Sequence, residues 1–345
     1  MKTWLEHPGK DAPCTVIGEV AQAHDGSLGA AHAYIDAIAL AGADAVKFQT
    51  HIADAESTAA EPWRTKFSLQ DETRLDYWRR MEFTPEQWAG LEQHAREKGL
   101  LFLSSPFSLQ AFDLLDKIGV AGWKVASGEI TNFPLLDAMR ATGQPLMLSC
   151  GMSAYEEIDA AVARLGPVRD HLAVMQCSSI YPTSAEHVGL NLLAEFKQRY
   201  GCAVGLSDHS ATIYPALAAV MAEAQVVEVH ITLSRDMFGP DVIASLTPEE
   251  LRQTVEGIRF IETMQANPAD KSAPLDQTEP LRQVFLKSVV ACTDMCAGTV
   301  LTTENITTKK PGTGISANQY DQMLGRILRR DIKADAPLVP EDLET

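Results

Sequence analysis

A (β/α)8 barrel followed by a small, mostly β module is the architecture this sequence predicts, on three observations. Eight short apolar runs rich in β-branched residues recur along the first 232 residues. Amphipathic segments with helical spacing lie between them. Beyond about residue 266 the composition changes, and a weak internal repeat follows.

The runs are Thr15–Val20, Ala45–Thr50, Leu100–Phe107, Gly122–Ser127, Pro145–Gly151, Leu172–Ser178, Ala203–His209 and Val226–Thr232. Between them, Ile35, Ile38 and Ala39, then Leu192, Leu193 and Phe196, then Leu251, Val255 and Ile258 repeat at i, i+3, i+4. Strand then helix, eight times over, is the pattern of a closed parallel barrel of about 250 residues. A doubly wound open sheet shares that alternation, but no Gly-rich dinucleotide fingerprint follows the first strand. The segment from His51 to Phe83 is too long for a plain βα connection and is predicted to shape a binding site. Residues 1–266 are assigned to the barrel. The stretch 267–283, rich in Pro, Asp, Lys, Ser and Gln, reads as a linker, and 284–345 as the second domain. There Asp294-Met295, Leu301, Glu304 and Ile306 recur as Asp331-Ile332, Leu338, Glu341 and Leu343, each 37 residues on (294 to 331), which suggests two similar halves. Lys309-Lys310-Pro311-Gly312 lies between the halves, a cationic turn that is either solvated or offered to a ligand.

Of the 345 residues 46% are hydrophobic and 22% charged, the composition of an ordinary globular protein. A net charge of −17 argues against nucleic-acid and anionic-membrane partners. No apolar stretch reaches the length of a membrane span or a signal peptide, so a cytoplasmic protein is expected. The six cysteines are too few for a disulfide scaffold and are expected to be reduced. An anionic metabolite would need a local cluster of cations inside a pocket.

In such a barrel the chemistry gathers at the C-terminal ends of the strands. Those ends offer Glu19 and His24, Lys47 and Gln49, Ser104 and Ser105, Lys124, Ser127 and Glu129, Ser149, Ser178, Ser179 and Tyr181, Ser207, Asp208 and His209, and Glu228 and His230. Two ammonium groups among several hydroxyls suit a phosphate and a carboxylate; either lysine alone reads equally as half of a salt bridge. His209 and His230, on neighbouring strands, could share a divalent ion with positions open for substrate; spacing does not separate Mn, Mg, Zn and Co. Glu19 and Glu129 are general acid–base candidates, or partners of Lys47 and Lys124. Cys150 and Cys177 read as packing residues, since no histidine is placed by sequence to activate them.

Several of these stretches resemble one family. Gly18-Glu19-Val20-Ala21-Gln22-Ala23-His24-Asp25-Gly26-Ser27 and Ala41-Gly42-Ala43-Asp44-Ala45-Val46-Lys47-Phe48-Gln49-Thr50 are similar to the opening of the sialic acid synthase (N-acetylneuraminate synthase) family. Ser104-Ser105-Pro106-Phe107, Trp123-Lys124-Val125-Ala126-Ser127-Gly128-Glu129, Leu148-Ser149-Cys150-Gly151-Met152, Cys177-Ser178-Ser179-Ile180-Tyr181-Pro182, Gly205-Leu206-Ser207-Asp208-His209 and Gly239-Pro240-Asp241 follow in the family's order. Lys310-Pro311-Gly312-Thr313-Gly314-Ile315-Ser316 resembles its antifreeze-like (SAF) domain.

The resemblance implies a TIM barrel and a SAF domain in a homodimer, each SAF domain covering the partner's barrel mouth. It implies phosphoenolpyruvate on Lys47, Lys124, Ser127, Ser149, Ser179 and Ser207, and Mn2+, with Mg2+ or Co2+ as alternatives, on His209 and His230. Glu19, Gln49, Tyr181 and Asp241 match positions that contact the sugar or the reacting centre, and Ser105 and Glu129 lie in matching motifs. The implied reaction joins phosphoenolpyruvate to N-acetylmannosamine or a related N-acyl hexose. A diacetamido hexose, giving legionaminic or pseudaminic acid, is the alternative within the family. Two readings lie outside it: a Schiff-base aldolase through Lys47 or Lys124, which borohydride trapping of a pyruvate adduct would reveal, and a non-catalytic sugar-binding protein. The chain departs from the family pattern at Ala23, usually Asn, at Val229, usually basic, and at Lys310, where an arginine often reaches the partner's sugar. Lysine keeps that charge and loses the planar two-pronged donor.

Overall fold

The computed structural model describes residues 3–9, 12–63, 65–272 and 278–344. They divide into two compact units that meet between Asn267 and Pro268. In the first, eight parallel strands close into a barrel in sequence order: β1 (Thr15–Ala21), β2 (Ala45–Thr50), β3 (Leu101–Pro106), β4 (Trp123–Val125), β5 (Leu146–Ser149), β6 (Leu172–Cys177), β7 (Ala203–Asp208) and β8 (Val226–His230). Nearly every strand residue is buried, because helices cover the outside and side chains fill the inside.

The helices are α1 (Leu28–Leu40), α2 (Ala53–Glu56), α3 (Arg74–Met81), α4 (Pro85–Glu97), α5 (Leu109–Ile118), α6 (Phe133–Ala141), α7 (Tyr155–Arg164), α8 (Asn191–Tyr200), α9 (Tyr214–Met221) and α10 (Pro248–Ala266). Their starts are written locally. Thr73, Thr84 and Thr247 each accept from the backbone three residues on, while Asp76, Gln87 and Glu250 return the bond in capping boxes. Of the predicted inward stripes, Ile35 and Ile38, Leu193 and Phe196, and Leu251, Val255 and Ile258 are buried, while Ala39 and Leu192 are partly buried against the same core. The N-terminal segment closes the bottom of the barrel, where Trp4 and Leu5 pack with Ile17, Leu103, Met147, Met175 and Val226. The rigid, filled lower half leaves the upper half for the site.

Register assembles the mouth. Glu19 on β1 lies beside Lys47 on β2 and beside His230 on β8. The β1 ladder shifts between Glu19 and Ala21, and Ala21 has φ of 47°, so the bulge bends the chain immediately after Glu19.

In the second unit, α11 (Glu279–Phe285) precedes the antiparallel pair β9 (Ser288–Ala291) and β10 (Ile306–Lys309), and α12 (Tyr320–Met323) follows. Residues 273–277 of the predicted linker lie outside the described residues, and helix begins within that stretch, at Glu279. The repeat has a physical counterpart. Met295 and Ile332 exchange both backbone hydrogen bonds at 2.8 Å. Asp294 accepts from the Ala334 amide as Asp331 accepts from the Ala297 amide. Leu301 and Leu338, and Ile306 and Leu343, share one small core. Among the described residues no helix is long and apolar enough to cross a membrane.

Candidate active site

A cavity of about 910 Å3 opens at the C-terminal ends of the strands. Fourteen of the predicted site residues line it: Glu19, Lys47, Gln49, Ser105, Lys124, Ser127, Glu129, Ser149, Ser179, Tyr181, Ser207, His209, His230 and Asp241. Lys310 belongs to the C-terminal unit, with its Nζ 5.1 Å from the centre of the Phe285 ring.

At the floor two ammonium groups and two carboxylates interlock. Lys47 Nζ lies 2.8 Å from Glu19 Oε2 and 3.8 Å from Glu228 Oε2, while Lys124 Nζ lies 3.1 Å from Glu228 Oε1. Ser207 donates to that same Glu228 oxygen at 3.0 Å. Burial raises the Glu19 carboxyl above the usual carboxylate range, and the Lys47 ammonium only partly offsets it. Burial pushes Glu228 the same way, but Lys124 and Lys47 outweigh it and hold Glu228 low. The salt-bridge reading of the lysines is therefore correct as far as it goes: each has a carboxylate partner. Yet both ammonium groups face a cavity, and among the described residues nothing hydrogen-bonds the buried Ser149 Oγ there. A buried hydroxyl without a partner, beside two buried cations, suits a bound anion.

Glu228 was visible at a strand end without an assigned role. The signal was alternation, since it lies two residues before His230 on β8 and so faces the same side. Glu129 stands apart from the lysines and accepts from Asn132 Nδ2 at 2.7 Å. Burial raises it as well.

The two histidines meet at the other side, their rings 5.1 Å apart. His209 Nδ1 donates to the Ser178 carbonyl at 2.6 Å, which leaves Nε2 as the lone-pair nitrogen; Tyr181 Oη lies 3.0 Å from it, and the two rings stack. Burial holds both imidazoles down at about 3 and therefore neutral, and His230 also lies 4.0 Å from Asp241. Neutral imidazoles, one oriented by a backbone acceptor, are the form in which histidine binds a metal. Among the described residues no group of three or more His, Cys, Asp and Glu converges as a metal site, so the protein would supply these two nitrogens and leave the remaining positions open.

Other strand-end residues are elsewhere. His24 packs on Phe83, Ser104 bonds Thr50, and Asp208 accepts from Ser210. Sequence placed no histidine near Cys177, but His209 Nδ1 lies 3.9 Å from its Sγ; that proton is committed to Ser178, and burial raises the thiol, so Cys177 stays a packing residue. The outer wall comes from the 51–83 insertion: Glu56, Glu61, Phe67, Arg74, Tyr77 and Trp78.

Gly151 joins two of the serines. Its amide donates to Ser127 Oγ at 3.0 Å, and a Cβ there would lie 2.8 Å from Ser179 Oγ and 2.9 Å from Cys177 Sγ. Gly151→Ala is expected to cost about 1–3 kcal/mol of stability and to lower turnover by displacing the Ser179 hydroxyl, as thermal unfolding and steady-state rates would register.

Comparison with known proteins agrees with this geometry. The NeuB family model matches residues 34–270 and the SAF domain model residues 287–344. N,N'-diacetyllegionaminic acid synthase of Campylobacter jejuni is 35% identical over 326 residues, 93% of this chain and 97% of that protein. N-acetylneuraminate-9-phosphate synthase of Homo sapiens is 31% identical over 305 residues, 87% of this chain and 84% of that protein. The N-acetylneuraminic acid (sialic acid) synthetase of Leptospira borgpetersenii, solved with citrate, superposes with a TM-score of 0.68 at 28% identity, covering 79% of this chain and 90% of that one. With the family model spanning most of the barrel and the strand-end motifs gathered around one cavity, the chain belongs to the NeuB family of sialic-type acid synthases and carries a SAF domain at its C-terminus.

Proposed function

We propose that the protein condenses phosphoenolpyruvate with the open-chain aldehyde of an unphosphorylated N-acyl hexose and water, giving a nine-carbon sugar acid and inorganic phosphate. The observation that carries the reading is the cavity floor: Lys47 and Lys124 with Ser127, Ser149, Ser179 and Ser207, beside a pair of neutral imidazoles.

Each ammonium has three donors, and the carboxylates do not use them all, so both lysines can neutralise the phosphate and carboxylate of phosphoenolpyruvate while the serines donate to its oxygens. The methylene carbon attacks the aldehyde carbon, forming the new C–C bond, and the aldehyde oxygen takes up a proton. Water adds at the electron-poor C2, and the C–O bond to phosphate then breaks to leave the ketone, the proton of the C2 hydroxyl departing with the phosphate. Glu19, whose proton affinity burial raises, takes the proton that the water gives up. A divalent ion, Mn2+ in this reading, held by His209 and His230, would polarise the aldehyde oxygen.

The outer wall supports an acceptor without phosphate. Glu56, Glu61 and Glu129 line it, and Arg74, the one cation among its described residues, is paired with Glu61 at 2.8 Å. A phosphomonoester there would meet net negative charge. Phe67, Tyr77, Trp78 and Phe107 offer apolar surface for acyl groups, which together with the similarity to a diacetyllegionaminic acid synthase favours a diacetamido hexose as the second reading beside N-acetylmannosamine.

Metal-stripped protein incubated with phosphoenolpyruvate and either sugar is expected to release phosphate only when Mn(II) is added, with a nine-carbon product by mass. N-acetylmannosamine 6-phosphate is expected to be turned over at least about 10-fold less efficiently. Equal use of the phosphorylated sugar would overturn the acceptor assignment, and silence with every hexose the reaction itself.

A further inference from the structure

Buried polar side chains link the 51–83 insertion to the carboxylate at the cavity floor. Glu56 Oε1 lies 2.7 Å from His51 Nδ1, and His51 Nε2 lies 2.7 Å from Gln22 Nε2. The same Gln22 nitrogen donates to Gln49 Oε1 at 2.6 Å, Gln49 Nε2 donates to Glu19 Oε1 at 3.0 Å, and Glu19 Oε2 meets Lys47. Gln22, His51 and Glu19 are buried, and the Glu56 side chain is 7% exposed. The His51 ring is clamped between Trp78 and Phe107, with centres 4.1 and 4.6 Å away and planes within 18° and 13°.

The direction of every bond follows from one end. A carboxylate only accepts, so Glu56 fixes a proton on His51 Nδ1, which in the neutral ring leaves Nε2 as an acceptor. An acceptor there calls for the amide nitrogen of Gln22, whose two hydrogens are then spent on His51 and on Gln49 Oε1. With its oxygen committed, Gln49 turns its nitrogen to Glu19, and the second hydrogen of that nitrogen is left over in a residue that lines the cavity. Were the proton on Nε2, both amides would have to turn over, and the Gln49 oxygen would face the Glu19 carboxylate.

We propose that His51 and Glu56 are positioning residues that lock Gln49 and Glu19 in the donor and acceptor sense met by the acceptor sugar. The inference rests on the condensation proposed above for its effect on turnover, but the proton assignment stands on geometry alone. Capture of phosphoenolpyruvate, which falls to the lysines and serines, does not depend on the chain.

Two measurements on the full-length protein test it. In 15N spectra of the histidine side chains, with His51 assigned by its absence from the His51→Phe variant, Nδ1 is expected to carry the proton and Nε2 to be bare; a proton on Nε2 overturns the proposal whatever the protein catalyses. His51→Phe keeps a ring in the stack but removes both nitrogens, and Glu56→Ala removes the acceptor. Each is expected to lower kcat/KM for the sugar about 10- to 100-fold with phosphoenolpyruvate affinity unchanged, and to lower the unfolding temperature, since a buried partner is left unpaired. Glu56→Gln, which retains an acceptor oxygen, recovers most of what Glu56→Ala loses. A Glu56→Gln variant as impaired as Glu56→Ala, or a parallel loss of phosphoenolpyruvate affinity, overturns the proposal. A wild-type protein inert with every hexose removes the condensation, while the spectra still decide the chain.

Discussion

Lys124→Met is expected to destabilise the protein by about 3–5 kcal/mol, because it leaves Glu228 buried with an uncompensated charge, and to weaken phosphoenolpyruvate binding at least about 100-fold. Glu228 would keep only the Ser207 hydroxyl at 3.0 Å and Lys47 at 3.8 Å. The single variant cannot tell a structural ion pair from a ligand-binding cation, since both predict a loss. The double variant Lys124→Met/Glu228→Met can. Replacing a buried ion pair by apolar side chains of similar size is often neutral or stabilising, so urea unfolding of the metal-free double variant should return close to wild type. Calorimetric titration with phosphoenolpyruvate should not. If the double variant bound phosphoenolpyruvate as the wild type does, Lys124 would be present only to satisfy Glu228.

The barrel was legible because burial on both faces writes each parallel strand as a continuous apolar run. All eight predicted strands end within two residues of the observed ones. The largest relative loss is in β4, which shrinks at both sides to Trp123–Val125, because the chain leaves the ladder and winds into a single turn at Ser127–Glu129. Inward placement was legible through alternation: Ser105 faces the cavity while Ser104 bonds Thr50, and His209 faces it while Asp208 turns to Ser210. Partnership was not. That Lys124 pairs with Glu228, 104 residues away, depends on barrel closure, which no local pattern specifies. The polar chain through Gln22, His51 and Glu56 was hidden for a related reason. The insertion could be seen as too long for a simple connection, but not that it folds back so that Trp78 and Phe107 clamp an imidazole between them.

His209→Ala is expected to lower Mn(II) affinity at least about 100-fold and turnover by about 10^3-fold or more, and His230→Ala to do the same. Among the described residues no third His, Cys, Asp or Glu converges with these two imidazoles as a metal site, so removing either would leave an ion held by one protein nitrogen. The orientation of His209 resists side-chain substitution, because its Nδ1 proton goes to a backbone carbonyl, Ser178 O at 2.6 Å. Tyr181 supplies the contrast. Its hydroxyl lies 3.0 Å from the lone-pair nitrogen, where it would compete with an incoming ion. Tyr181→Phe should therefore leave Mn(II) affinity equal to or above that of the wild type while still slowing turnover. Titration calorimetry with Mn(II) on metal-stripped protein, run beside phosphate-release rates, separates the two effects. Unchanged Mn(II) affinity in His209→Ala would remove that imidazole from the ligand set and leave Tyr181 as its partner in orienting the sugar.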